Sequence, residues 1–199
     1  MNTYQKFLDF FSMHNKERLD GLTSAYFDGM AQDERKRAYD FLFARVVSGG
    51  VEEDVNGIFM ADSGKAMKDM AVLLNAKQLG NIAEIVVAGH MAAAGVNMDL
   101  LPIFINAMSS PERELRELGA RYVPATVEPN VLNGLQGMVR TETDRRLLIQ
   151  AATKLLQCFD LSVHTIDKDE YIDLFNDLLS NEIEKKERAL AKAKALAQR

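Results

Sequence analysis

Residues 101–122 read LPIFINAMSSPERELRELGARY, and this stretch contains the pattern that decides the fold. Apolar residues recur at helical spacing on both sides of a polar turn: Leu101, Phe104, Ile105 and Met108 before it, and Leu115, Leu118, Gly119 and Tyr122 after it. Residues spaced i, i+3, i+4 and i+7 lie on one face of an α-helix. The stretch therefore predicts two amphipathic helices joined by a short turn.

The same spacing appears along the rest of the chain. Further matches are residues 4–11, 39–46, 67–74, 148–155 and 171–178. No comparable run alternates with the period of two that is typical of strands. The sequence therefore predicts an all-α fold.

Local sequence also predicts where several helices begin and end. Gly49 predicts a helix end, because glycine adopts the left-handed cap conformation at low cost. Ser110 followed by Pro111 is typical of an N-cap with proline in the first helical turn. Asp167 and Glu170 have the spacing of a capping box.

Weak internal repetition links residues 26–35 with residues 104–113. Each segment contains an apolar helix end, a methionine, a polar turn and then Glu-Arg. Here, over about residues 16–160, the chain resembles α-helical repeat proteins of the HEAT or armadillo kind. The resemblance implies irregular stacked helix pairs forming an α-solenoid, and the alternative is a compact multi-helix bundle. We expect a single all-helical domain over residues 1–180.

The C-terminal segment, residues 181–199, differs in composition. It is rich in Ala, Lys and Glu, and its large apolar residues are Ile183, Leu190 and Leu196. High helix propensity predicts a polar C-terminal helix that is largely solvated or docked along a thin seam.

Charge and targeting features limit the classes of partner. The net charge is −5 and the pI is about 5.3, which disfavours a nucleic-acid or membrane-surface binder. The start of the chain lacks the pattern of a signal peptide, and the apolar segment 82–96 is interrupted by Glu84 and His90. Cys158 has no second cysteine with which to form a disulfide. We therefore expect a cytoplasmic protein that binds no membrane.

Three motifs could carry chemistry, and each has a simpler structural interpretation. Residues 63–65 read Ser-Gly-Lys but lack the remainder of a phosphate-binding loop. Residues 89–95, from Gly89 to Gly95, could line a pocket around His90, although small residues favour close helix packing. The segment 164–169 fails the calcium-loop pattern. We therefore expect no catalytic, cofactor-binding or metal-binding residues, and we expect that the protein is not an enzyme.

Acidic residues cluster on one predicted helix near the C-terminus. They are Asp169, Glu170, Asp173 and Asp177, and the periodicity places them toward solvent. The structural interpretation is an ordinary polar helix face. The functional interpretation is a negative patch that binds a protein partner with a basic surface.

We therefore expect a non-catalytic protein-binding module, such as a small acidic inhibitor of the immunity-protein kind or an adaptor. Two alternatives stay open. One is a helical repeat that recognises nucleic acid by shape, which the acidic pI disfavours. The other is a ligand-binding or enzymatic helical bundle with its pocket near residues 89–95.

Overall fold

The structure is a computed structural model, and it describes residues 3–13 and 21–198. Within these residues the chain forms α-helices, one short 3-10 turn and connecting loops, and it contains no β-strand. The all-α fold predicted from apolar periodicity is therefore confirmed.

The chain divides into two compact units, Met1–Met91 and Ala92–Arg199. The first contains α1 (Thr3–Phe10), a 3-10 turn (Ser24–Tyr26), α2 (Gln32–Val47), α3 (Glu52–Ala61), α4 (Ser63–Asn75) and most of α5 (Asn81–Ala93). The second contains α6 (Leu101–Met108), α7 (Arg113–Tyr122), α8 (Pro129–Thr141), α9 (Arg145–Cys158), α10 (Lys168–Leu178) and α11 (Ile183–Leu196). The unit boundary lies inside α5, and the single domain predicted for residues 1–180 stays a prediction.

In the first unit α2 packs on α3, α3 packs on α4, and α1 packs on α2 and the 3-10 turn. The ring of Phe7 is fully buried and lies 5.4 Å from that of Phe27 and 5.7 Å from that of Phe41. Such aromatic pairs add to the stabilisation that burial provides. As predicted, α2 ends just before Gly49, which has a φ of 98°.

In the second unit α6 packs on α7, α8 packs on α9, and α11 packs on both α8 and α10. The seam of α11 consists of Lys186, Ala189, Leu190, Ala193 and Leu196, whereas Ile183 is 53% exposed. The α11 helix therefore docks through two alanines, two leucines and one buried lysine, and its first large apolar residue faces solvent.

The helix starts follow the predicted caps in one case and depart from them in another. Asp167 caps α10, because its Oδ1 accepts hydrogen bonds from the backbone N–H groups of Asp169 and Glu170 at 2.9 and 3.0 Å. The predicted start of α7 at Pro111 is wrong, since the helix begins at Arg113. The hydroxyl of Ser110 accepts a hydrogen bond from the N–H of Glu112 and so stabilises a turn before the helix.

Two helical glycines should respond in opposite ways to replacement by alanine. A Cβ atom at Gly119 would lie 2.8 Å from the Cβ of Ala107 and 2.9 Å from the backbone nitrogen of Met108, whereas at Gly137 it would meet nothing within 4 Å. We expect Gly119→Ala to lower the free energy of unfolding by about 1–3 kcal/mol through overpacking. We expect Gly137→Ala to raise it by about 0.5–1 kcal/mol, because alanine has the higher helix propensity.

Urea denaturation of the two variants and the unchanged protein measures both effects. Destabilisation by Gly137→Ala would contradict the open surroundings of that residue in α8.

Candidate protein-binding surface

The candidate surface is the outward face of α10. The opposite face of this helix is anchored by Leu174 and Leu178, both buried, and the helix packs on α11. Tyr171 and Phe175 are half-buried at one edge, with ring centroids 6.2 Å apart and nearly parallel planes. The apolar periodicity therefore orients the helix as predicted and turns its polar residues away from the core.

The structure separates the four acidic residues into two pairs. Asp169 and Asp173 are exposed, and within the described residues neither makes an ion pair. Glu170 is half-buried and lies 3.0 Å from the ammonium group of Lys192 on α11. Asp177 is half-buried too and, seven residues further on, lies on the same flank of the helix as Glu170. Asp169 and Asp173 are therefore the two carboxylates most available to a partner.

An isoleucine that the sequence analysis did not select lies among them. Ile172 is 42% exposed and shares the outward face with Asp169, Asp173 and Asn176. The spacing from Leu174 and Leu178 could have identified it, because residue 172 lies on the opposite side of a helix that buries residues 174 and 178. The surface therefore offers an apolar side chain with carboxylates beside it.

Most other ion pairs of the described chain join neighbouring elements or adjacent helical turns. The carboxylates engaged in them belong to Asp40, Asp54, Asp69, Glu117, Glu142, Asp144, Glu182 and Glu187. These charges are locally compensated, so they contribute little to the field at a distance. Asp169 and Asp173 lack that compensation within the described chain, as Glu114 and Glu184 do. They differ from those two glutamates in lying together on one helix face with the exposed Ile172.

Four basic residues of α2, three near its start and one in its last turn, are also held by internal contacts. Arg35 donates to the carbonyl of Phe27, Lys36 pairs with Asp40, Arg37 lies over the ring of Tyr4, and Arg45 pairs with Asp54. A nucleic-acid site needs cations that are free to meet phosphates. These contacts therefore weaken the nucleic-acid alternative.

The motifs that resembled chemical sites have structural contacts instead. Asp62 caps α4 by accepting a hydrogen bond from the N–H of Lys65, and the ammonium group of Lys65 pairs with Asp69 at 2.8 Å. Among residues 3–13 and 21–198, no group of three or more His, Cys, Asp or Glu side chains could hold a metal ion. Cys158 is buried, and burial raises the pKa of its thiol.

His90 packs between side chains of α3. Its ring stacks on Phe59 with centroids 4.0 Å apart, and its Nε2–H donates a hydrogen bond to Oδ1 of Asn56 at 2.8 Å. The ring is half-buried, and burial lowers its pKa. These contacts are those of a packed histidine that is neutral at pH 7.

The lowered pKa of His90 predicts how stability changes with pH. The unfolded chain binds a proton near pH 6.5, whereas the folded chain binds it only at lower pH. The contribution of His90 to stability is therefore complete above about pH 6.5 and is lost as the pH falls through the folded-state pKa.

Urea denaturation of the unchanged protein and of the His90→Gln variant, each between pH 4.5 and 8, isolates that contribution. NMR titration of the His90 ring gives its pKa directly. A measured pKa above 6.5 would contradict the burial argument.

Charge reversals at the two ends of α10 should have opposite effects on stability. Asp169 lies in the first helical turn and Asp177 lies near the last, where the helix dipole disfavours a carboxylate. We expect Asp169→Lys to lower the free energy of unfolding by about 0.3–1 kcal/mol and Asp177→Lys to raise it by a similar amount. Thermal unfolding at low and high salt checks this, because salt should reduce both effects.

No protein-family model, curated protein or solved structure significantly matches the chain. None of the helices within the described residues is both long and apolar enough to cross a membrane. The function must therefore be argued from the surfaces of the molecule.

Proposed function

We propose that the protein is a non-catalytic, cytoplasmic protein-binding module whose α10 surface binds a partner with a basic face. The single observation that carries this proposal is the pair of exposed carboxylates at Asp169 and Asp173, which lack a cation partner in the described chain, beside the exposed Ile172. A partner that brings lysine or arginine to these carboxylates would compensate their charge and cover the isoleucine. An inhibitor of a basic protein and an adaptor both fit this description.

The two kinds of contact should contribute differently to binding. Exposed carboxylates attract a basic partner before contact, so they act mainly on the association rate. Burial of Ile172 removes apolar area from water, so it acts mainly on the dissociation rate. Stacked helix pairs of the HEAT kind present extended surfaces of this type, and we include that architecture in the proposal.

The experiment compares the unchanged protein, a test variant and a control variant. Each is used to capture partners from an extract of the native host, and binding kinetics are then measured with the purified partner. The test variant carries Asp169→Lys and Asp173→Lys. The matched control carries Glu114→Lys and Glu184→Lys, which make the same change in net charge at exposed first-turn positions of α7 and α11. Asp169 lies in the first turn of α10 and Asp173 lies in its middle, so the helix dipole should make the control lose at least as much stability as the test variant.

We expect the test variant to lower the association rate at least tenfold while the control stays near the unchanged protein, and we expect the effect to diminish as salt is added. A further variant, Ile172→Ala, should mainly raise the dissociation rate. Equal binding by the test and control variants would remove α10 from the interface. The absence of any specific partner at moderate salt would contradict the proposed function.

A further inference from the structure

A groove of about 480 Å³ lies between α8 and α11 in the second unit. Its apolar lining includes Leu132 of α8, Leu190 of α11 and Phe159, which follows α9. Leu190 and Phe159 are buried in the fold, and Leu132 is half-buried. We call this feature the α8–α11 groove, and its volume lies within the range of pockets that bind small molecules.

Two contacts join α8 and α11, which form the walls of the groove, and show that these two helices run antiparallel. The ammonium group of Lys186, near the start of α11, donates a hydrogen bond to the carbonyl of Val139, near the end of α8, at 2.6 Å. One residue further on, Arg140 donates two hydrogen bonds to the carboxylate of Glu187, at 2.6 and 3.1 Å. This ion pair closes one end of the groove, and Lys194 lines it two turns further along α11.

The charges of the lining do not cancel. The hydrogen bonds between Arg140 and Glu187 raise the pKa of the guanidinium group and lower the pKa of the carboxyl group, so both stay charged and neutralise each other. Lys194 is exposed and makes no ion pair with any described residue. The groove therefore carries one uncompensated positive charge, at the end away from the ion pair.

Two amide side chains in the groove are also without partners. Gln136 is half-buried and Asn133 is exposed, and neither side chain makes a hydrogen bond within residues 3–13 and 21–198. Binding pockets commonly combine an apolar floor with a few polar groups that orient the ligand. These amides offer donors and acceptors along the same wall that holds Leu132.

We propose that the α8–α11 groove binds a small amphipathic organic anion, with its carboxylate at Lys194 and its apolar chain over Leu132 and Leu190. Lys194 lies seven positions after Glu187 in α11, which corresponds to roughly 10 Å along the helix. A ligand of about that length would reach from the ammonium group to the closing ion pair. The proposal does not depend on the α10 surface or on a protein partner.

The test uses the full chain with sodium octanoate as the probe and octanol as its neutral counterpart. Calorimetry gives the affinities, and the methyl resonances of Leu132 and Leu190 report where the probe binds. We expect octanoate to bind about tenfold more tightly than octanol, because only the anion forms an ion pair with the ammonium group of Lys194. Octanoate should shift both sets of methyl resonances.

Two lysine variants separate the groove from general surface charge. Lys194→Ala should weaken octanoate binding about tenfold and leave octanol binding unchanged. Lys168→Ala, which removes an exposed lysine of α10, should change neither affinity. Leu132→Glu places a second carboxylate in the groove and should abolish octanoate binding, with circular dichroism as the check that the variant is folded.

Several results would overturn the proposal. The proposal is wrong if octanoate does not bind or if it shifts only methyl resonances outside the groove. It is also wrong if the two lysine variants change octanoate binding equally. Shifts of the groove methyls by a protein partner but not by octanoate would assign the groove to a macromolecule instead.

Discussion

The hydrogen bond between Lys186 and Val139 sets the position of α11, on which the rest of the second unit's surface depends. Lys186 is only 6% exposed, and burial lowers the pKa of its ammonium group. A buried cation is costly unless a partner compensates it. Here the partner is a carbonyl in the last turn of α8, where the helix leaves its final carbonyl groups unpaired and the dipole is negative. One contact therefore gives a hydrogen-bond partner both to the buried ammonium group and to a carbonyl at a helix end.

With α11 fixed in this way, one of its sides faces α8 and another faces α10. One side forms the α8–α11 groove and contributes Glu187 to the ion pair that closes it. Another side presents Lys192 to Glu170 and so restrains the flank of α10. Glu170 is consequently occupied inside the protein, which leaves the outward carboxylates of α10 as those that a partner could use.

Periodicity and capping predicted the all-α class and most of the helices, because both depend on residues that are close in sequence. The cap at Asp167 and the helix end before Gly49 are examples. The docking of α11 could not be predicted in this way. Ile183 is one of the few large apolar residues of this segment, yet it is exposed and Lys186 is buried. The carbonyl that makes this burial possible lies 47 residues away, so no local pattern reveals it.

The candidate surface on α10 was likewise predictable only where it depends on residues that are close in sequence. Periodicity placed all four acidic residues toward solvent. In the structure Asp169 and Asp173 are exposed, whereas Glu170 and Asp177 are half-buried. The pairing of Glu170 with Lys192 joins different helices and could not be anticipated, whereas the exposure of Ile172 follows from the same helical geometry and was overlooked. Local sequence therefore locates an acidic face, and only the fold decides which carboxylates on it are free.

The two proposed surfaces differ in the physical origin of their attraction. At the α10 surface the exposed carboxylates act through water, where screening shortens the range of attraction from about 10 Å at 0.1 M salt to about 3 Å at 1 M. In the α8–α11 groove much of the stabilisation would come from apolar contact with Leu132 and Leu190, which salt does not screen. Association at α10 should therefore slow at high ionic strength while the apolar part of groove binding persists, so the salt dependence of binding distinguishes the two surfaces.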